Sequence, residues 1–371
     1  MALCPYCFNK INLHTLDMRC SSKTCCEPGS TERHIIPRKL ARTDKKGYGA
    51  CDVCGKSTHT LVCSSCKHDL PDTINDSETK IISIIGTKGS GKSYYVAALL
   101  RQIMDLGLLA RINGASTRFL PGSREIYENR YKKNMDKCLP LDGTNLVTDI
   151  IKDNPPILVN VSFSNSRNKK VDYTYSFFDA AGESFSDPAV LASITPYIAH
   201  SEAIIVLLDP RQIEDVNNAV SASIPNLPAI SSERYEDTIN NVADVIYNSL
   251  RINRRNKIDI PICVAFSKWD LLVNTPGLLP GDFIVSQPSL ASVNGFDPNM
   301  VENSSAEIRS LLNEWSTNLQ ETVEKLFKNV CYFGFSAWGL GSKDGSKIPP
   351  IASFRVEDPL LWIMNRDKLL K

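Results

Sequence analysis

The sequence predicts an α/β fold: a three-layer sandwich built on a mostly parallel sheet with one antiparallel edge strand, preceded by a small cysteine-rich region. Three observations carry this. From about residue 80 to the end, β-branched apolar runs alternate with segments of helical apolar spacing, the pattern of a wound sheet. The runs "PPILVNVSF" and "VDYTYSFFD" are separated only by the polar "SNSRNKK", and so short a connection demands an antiparallel hairpin. Nine of the twelve cysteines precede Leu70, in a stretch with too few large apolar side chains for a core of its own.

Those cysteines come in pairs: Cys4/Cys7, Cys20 with Cys25 or Cys26, Cys51/Cys54 and Cys63/Cys66. A C-x-x-C turn aims two thiolates at one point, and two such turns complete a tetrahedral Zn²⁺ site. Taken in chain order, residues 1–47 form a first zinc-binding module with ligands Cys4, Cys7, Cys20 and Cys25. Cys26 is the alternate fourth ligand there, and His14 or His34 are weaker substitutes. Residues 48–72 form a zinc ribbon on Cys51, Cys54, Cys63 and Cys66. A redox C-x-x-C would require a strand–helix setting that this polar, loop-rich stretch lacks. Cys138, Cys263 and Cys331 stand alone and are expected to be small core residues. Metal binding would then supply most of the folding free energy of the region.

After the polar linker "DLPDTINDSETK", residues 73–371 form the main domain, with insertions near 115–150, 210–233 and 273–300. "KIISII" is a buried strand and "SYYVAALLRQIMDLGLL" a helix. Between them lies Gly86-x-x-x-x-Gly91-Lys92-Ser93, the phosphate-loop pattern in its required strand–turn–helix setting. The turn Gly86, Lys88, Gly89, Ser90, Gly91 lets backbone N–H groups and a helix N-terminus surround phosphate oxygens. Lys92 supplies a point charge, and the Ser93 hydroxyl a Mg²⁺ ligand. Three later strands end in polar residues: Asp179 followed by "AAGE", Ser267-Lys268-Trp269-Asp270, and Ser336-Ala337. Asp209 also ends a strand, but the proline beside it leaves no adjacent catalytic glutamate, so Asp179 is the better Mg²⁺ acid.

These four motifs, in this order over roughly residues 80–370, resemble the translation-factor-related (TRAFAC) class of P-loop GTPases, which includes the Ras-like proteins. The resemblance implies GTP and GDP as ligands with Mg²⁺. In that class Asp179 and Gly182 of D-x-x-G would contact Mg²⁺ and the γ-phosphate. Lys268 would lie along the guanine and Asp270 would accept its N1 and N2 hydrogens, with the Ala337 backbone near the guanine oxygen. Thr144 or Thr148 would be the switch threonine. Three departures stand out. Ser267 replaces the usual Asn or Thr, with shorter reach toward the phosphate loop. Lys88 replaces a small glycine. Glu183 replaces the glutamine that orients the attacking water; a carboxylate cannot donate to the phosphoryl oxygens, so slow hydrolysis is expected. The long switch regions, D-A-A-G-E and the zinc module together are similar to the double-GTPase-like families of bacterial conflict systems.

The resemblance implies a Mg²⁺-dependent, GTP-hydrolysing switch coupled to a protein effector or to self-association through its switch regions. Two alternatives are a non-hydrolysing guanine-nucleotide scaffold that recruits through its zinc region, and an ATPase. "SREIYENRYKKNMDKCL" reads as an amphipathic helix within the first insertion, and the other two insertions as surface loops. Net charge is +1 over 371 residues, so no strong pull toward polyanions is expected. The basic excess of residues 1–80 is cancelled by tetrathiolate zinc sites of about −2 each, which leaves nucleic acid a lesser expectation than protein. No apolar run is long enough to span a bilayer, and "MALCPYCFNK" lacks signal-peptide order, so a cytoplasmic address is expected.

Overall fold

The computed structural model describes residues 2–29, 31–41, 43–44, 47–141, 155–164, 170–179, 197–224, 227, 229–284, 287, 295–315, 317–338 and 353–370. The sheet strands are β1 (Ser77–Gly86), β2 (Ser116–Phe119), β3 (Ile157–Ser164), β4 (Lys170–Asp179), β5 (Ala203–Leu208), β6 (Ile262–Phe266) and β7 (Val330–Gly334). Their spatial order is β7-β6-β5-β1-β4-β3-β2. Strands β7, β6, β5, β1 and β4 are mutually parallel, and β3 is the expected antiparallel partner of β4. The four-residue β2 pairs antiparallel with β3 and forms the outer edge, so part of the region expected as an insertion joins the sheet.

Side chains alternate between two buried faces, as a covered parallel sheet requires. Ile82, Ile84, Ile205, Leu207, Cys263 and Phe333 face one apolar cluster, which includes helices α1 (Lys92–Leu100) and the C-terminal Asp358–Arg366. Ile81, Ile85, Ile204, Val206, Val264 and Phe266 face the other, covered by α2 (Glu214–Ser223), α3 (Tyr235–Leu250), α4 (Pro298–Glu314) and α5 (Leu319–Leu326). The C-terminal helix is α6. This is the three-layer sandwich expected, and the lone Cys263 and Cys331 are buried opposite each other in β6 and β7.

Two expectations for the insertions meet different outcomes. Residues 123–136 are helical, and Tyr127, Tyr131 and Met135 bury one stripe at four-residue spacing. Residues 214–223, expected as surface loop, are instead α2. Val216 and Val220 anchor it to the core, a two-residue apolar face too sparse to stand out among Asn and Ser.

The cysteine module consists of three two-residue antiparallel ribbons: Ala2–Leu3 with Lys10–Ile11, Met18–Arg19 with Ile35–Ile36, and Gly49–Ala50 with Ser57–Thr58. It packs on the face of the sheet that carries Ile81 and Ile85, with Phe8 reaching that core. No helix among the described residues is long and apolar enough to cross a membrane.

Candidate functional site

The C-terminal ends of the parallel strands form one edge. Gly86 pairs in register with Leu207, Asp179 with Ile84, and Phe266 with Leu208 and Gly334. At the end of β1 the chain turns tightly because it carries no side chain there: a Cβ on Gly86 would sit 2.5 Å from the Leu207 carbonyl oxygen and 2.6 Å from Ser90 Oγ. Gly89 and Gly91 then take φ of +78° and +89°, the left-handed region in which a Cβ is strained. Gly91 caps α1, whose first turn is therefore presented at the loop mouth. Lys92 is buried and its Nζ donates to the carbonyls of Gly86 (2.7 Å) and Thr87 (3.0 Å), lying across the loop. Ser93 is half-buried at the start of α1, and Lys88 is exposed at the loop tip. Thr87 Oγ1 and Ser90 Oγ are buried with no hydrogen-bond partner among the described residues, as in a cradle that offers polar groups inward.

At the end of β6, Lys268 adopts φ +55° and turns its ammonium back to the loop, donating to the Gly89 carbonyl (2.9 Å). The same ammonium pairs with Asp209 Oδ2 at 2.6 Å. The shorter reach expected of Ser267 is seen in its hydroxyl, which donates to the Leu208 carbonyl at 3.1 Å. The physical reason is reach. A serine oxygen one bond from Cβ finds the adjacent strand end first, and the lysine spans the remaining distance. Asp270 is half-buried and hydrogen-bonded to Ser336; burial lifts its carboxyl above the ordinary range, and the Ser336 bond offsets part of that. Backbone bonds from Trp269 N to Phe335 O (3.0 Å) and from Phe335 N to Phe266 O (2.9 Å) hold the β6 and β7 ends together, so Ser336 and Ala337 sit beside the lysine–aspartate turn. Gly334 permits this, since a Cβ there would lie 2.4 Å from the buried Trp269 ring.

Asp209 and Arg211 were not expected at the site. Asp209 is buried, accepts from Arg211 Nε (3.1 Å) and Nη2 (2.6 Å), and holds Lys268 as well. Burial pushes this carboxyl up, but the bonds from Arg211 and the charge of Lys268 override it and hold the group below its ordinary value. Burial likewise pulls the Lys268 ammonium below its ordinary range, against the attraction of Asp209. A depressed carboxyl contributes its stabilisation fully above the unfolded carboxylate range of about 4 and loses it as pH falls through the folded value. Asp209→Ala removes the carboxylate that the buried Arg211 guanidinium and the Lys268 ammonium share. The expected result is a loss of about 3 kcal/mol in urea unfolding near pH 7, a difference that shrinks at acid pH.

The backbone of Asp179 closes β4 at the expected edge position; its side chain lies outside what the structure describes. Thr144, Thr148, Gly182 and Glu183 also fall outside the described residues.

The eight zinc-type cysteines form two tetrads, and the pairing corrects the chain-order expectation. Cys4, Cys7, Cys63 and Cys66 converge at one point, and Cys20, Cys25, Cys51 and Cys54 at another, with the sulfurs of each set within 4.8 Å of one another. Individual Sγ–Sγ separations of 3.8 Å (Cys4–Cys66), 3.7 Å (Cys7–Cys63), 3.4 Å (Cys20–Cys54) and 3.8 Å (Cys25–Cys51) match the roughly 3.8 Å edge of a tetrahedron with Zn–S near 2.3 Å. The nesting follows from strand pairing. Arg19 N donates to Thr60 O (2.8 Å) and Val62 N to Asp17 O (2.9 Å), which folds the second half of the module back on the first. The outer pairs of cysteines then meet each other, as do the inner pairs. Residues 1–47 and 48–72 thus form one interleaved unit. Cys25 is the fourth member of its tetrad, while Cys26 Sγ faces the carbonyls of Lys23 and Thr31. His14 belongs to neither tetrad, and His34 lies beside Cys51, bridged to Asp52 (2.8 Å) and Glu27 (3.2 Å). The residue after each C-x-x-C turn is left-handed: Phe8, Gly55 and Lys67, with φ of 62°, 72° and 60°.

A cleft of about 1970 Å³ between the module and residues 121–123 and 155–156 is lined by Tyr6, Arg19, Arg33, His68 and Asp69 among others. No phosphate-loop residue borders it, and Arg19 and Arg33 are both taken up by Asp69. These three side chains tie the module to itself.

Among solved structures, the chain is similar to the signal recognition particle receptor SRb-GTP/SRX complex from Chaetomium thermophilum, with 15% identity and a TM-score of 0.29 over 71% of this chain and 92% of that one. It is also similar to the Arl6 BBS3 small GTPase from Trypanosoma brucei with bound GppNp, with 10% identity and a TM-score of 0.29 over 79% and 99% of the two chains. Likeness at that level carries no functional information. No curated protein matches the sequence. The family model described as Double-GTPase 2 matches residues 80–326. That stretch runs from β1 through α5 and contains the phosphate loop, the D-x-x-G segment and the lysine–aspartate turn. With well over half its length matched, the chain belongs to the double-GTPase 2 family.

Proposed function

We propose that this protein is a Mg²⁺-dependent guanine-nucleotide switch that binds GTP, hydrolyses it slowly and signals to a protein partner. One observation carries the reading: the Lys268 ammonium joins the guanine-type turn to the phosphate loop through Gly89, so the base-reading and phosphate-holding elements form one continuous surface. On this reading the loop amides and Lys92 hold the β- and γ-phosphates, and Ser93 with Asp179 holds Mg²⁺, which supplies charge neutralisation at the phosphates. Asp270 accepts from guanine N1–H and N2–H, where adenine offers a lone pair and a C–H. Lys268 lies along the base and the Ala337 backbone faces its oxygen. Gly182 and either Thr144 or Thr148 answer to the γ-phosphate, and Glu183 orients water. The two cysteine tetrads take Zn²⁺ as structural ions. The partner is a protein effector or a second copy engaged through the switch regions.

Glu183 favours a second reading, a non-hydrolysing scaffold, because a carboxylate accepts from water but cannot donate to the transferring group. Phosphate release from Mg²⁺–GTP separates the two. The switch predicts slow release that falls at least about tenfold in Glu183→Ala with affinity retained. GTP bound without any release supports the scaffold.

A further inference from the structure

The acid that meets Lys268 is itself held firmly in place. Asp209 follows β5 and is 4% exposed. Its Oδ1 accepts from Arg211 N and Arg211 Nε, each at 3.1 Å, and its Oδ2 from Arg211 Nη2 and Lys268 Nζ, each at 2.6 Å. The Asp209 carbonyl is tied down as well, accepting from Gln212 N at 2.9 Å and from the hydroxyl of the buried Tyr235 at the start of α3. Arg211 is 2% exposed, and the Gln212 side chain donates to the carbonyls of Ser231 (3.2 Å) and Glu233 (2.6 Å), which closes the short turn Pro210–Gln212 against the chain entering α3. The carboxylate is thus a fixed point of the sheet edge.

Lys268 is the opposite case. Its side chain is 29% exposed, and a lysine stem with that much solvent ordinarily keeps its rotamer freedom. Here the ammonium is fastened between Asp209 on one side and the Gly89 carbonyl of the phosphate loop on the other. We infer that Asp209 is a positioning residue for nucleotide binding: backed by Arg211, it holds the Lys268 stem in the pose along which a guanine base lies, before any nucleotide arrives. This rests on the guanine-nucleotide reading above. Buried and with both oxygens occupied, Asp209 acts only through the lysine. The effect is preorganisation. The cost of ordering the lysine is met when the site folds, and removal of the carboxylate charge returns that cost to the binding step.

The test is a double-mutant cycle on the full chain, read as the dissociation constant for GDP in Mg²⁺. Asp209→Asn keeps the shape of the side chain and an oxygen for Arg211 but removes the charge that fastens the ammonium, and it is expected to raise the constant about tenfold. Lys268→Met keeps an unbranched stem without the ammonium and should raise it at least as far. In the Lys268→Met background, Asp209→Asn should then change the constant by no more than about twofold. A purely structural role for the Asp209–Arg211 pair predicts the same factor in both backgrounds, and thermal melts of every member of the cycle report any loss of stability separately. Should Asp209→Asn fail to fold, Asp209→Ser takes its place in the cycle. GDP affinity unchanged within about twofold by either single substitution, or equal factors for the Asp209 change in the two backgrounds, overturns the inference and leaves the guanine-nucleotide reading standing. Wild-type protein that binds no guanine nucleotide overturns that reading, and the inference with it.

Discussion

Asp270→Asn is expected to lower GTP affinity by about 100-fold or more while leaving the fold intact. Guanine turns two donors, N1–H and N2–H, toward this position, and a carboxylate accepts both. An asparagine offers one acceptor and one donor, so one favourable contact is lost and one donor faces another. With hydrogen bonds to charged groups contributing about 1.5–3 kcal/mol each, the loss reaches about 3 kcal/mol, or roughly 100-fold. Stability should move the other way or not at all. Burial already disfavours the charge on Asp270, so a neutral isostere relieves a desolvation cost, and Ser336 keeps an oxygen to bond. The same chemistry predicts a new preference. A base with a donor at N1 and an oxygen at C2, as in xanthine, matches the asparagine, so XTP affinity should rise as GTP affinity falls. Because burial raises this carboxyl, wild-type GTP affinity should begin to fall at a higher pH than an exposed aspartate would dictate. Titration of GTP and XTP into both proteins, with thermal melts alongside, checks each part.

The second large effect concerns metal. Cys7→Ser/Cys63→Ser is expected to lose about one Zn²⁺ per chain and Cys7→Ser/Cys20→Ser about two, the reverse of what chain-order ligand sets would give. The crossed tetrads place Cys7 and Cys63 in one site and Cys7 and Cys20 in different ones. The loss should also unfold the affected part of the module. Its two small clusters hold seven and six buried residues, three of them cysteines in each case, while structural zinc binding contributes an apparent 10–16 kcal/mol, about as much as a whole domain's net stability. Metal analysis of the two variants, with far-UV circular dichroism before and after chelation, decides the pairing.

The strand–turn–helix at the phosphate loop was legible because its cause is local. Gly89 and Gly91 stand where the turn's own backbone is left-handed, a local demand; at Gly86 the neighbouring strand adds its own, through the Leu207 carbonyl. The antiparallel β3 was legible from the shortness of one connection. The tetrads were not, because C-x-x-C spacing fixes which two thiolates share a turn and says nothing about which two turns meet. That depended on Arg19 bonding to Thr60 and Val62 to Asp17, each across more than forty residues. The role of Lys268 in place of Ser267, and the Asp209–Arg211 pair that steadies it, were hidden for a similar reason: β5 and β6 are adjacent only in the folded sheet. Helix α2 escaped because two valines among polar residues make a faint stripe until the sheet supplies the surface they bury against.

The central claim is that the Lys92 loop and the Asp270 turn serve one guanine nucleotide. The most direct measurement is a side-by-side titration of the full chain with fluorescent GTP and ATP in Mg²⁺. The account predicts GTP binding at least about 100-fold tighter than ATP. Equal affinity for the two nucleotides, or binding of neither, would contradict it.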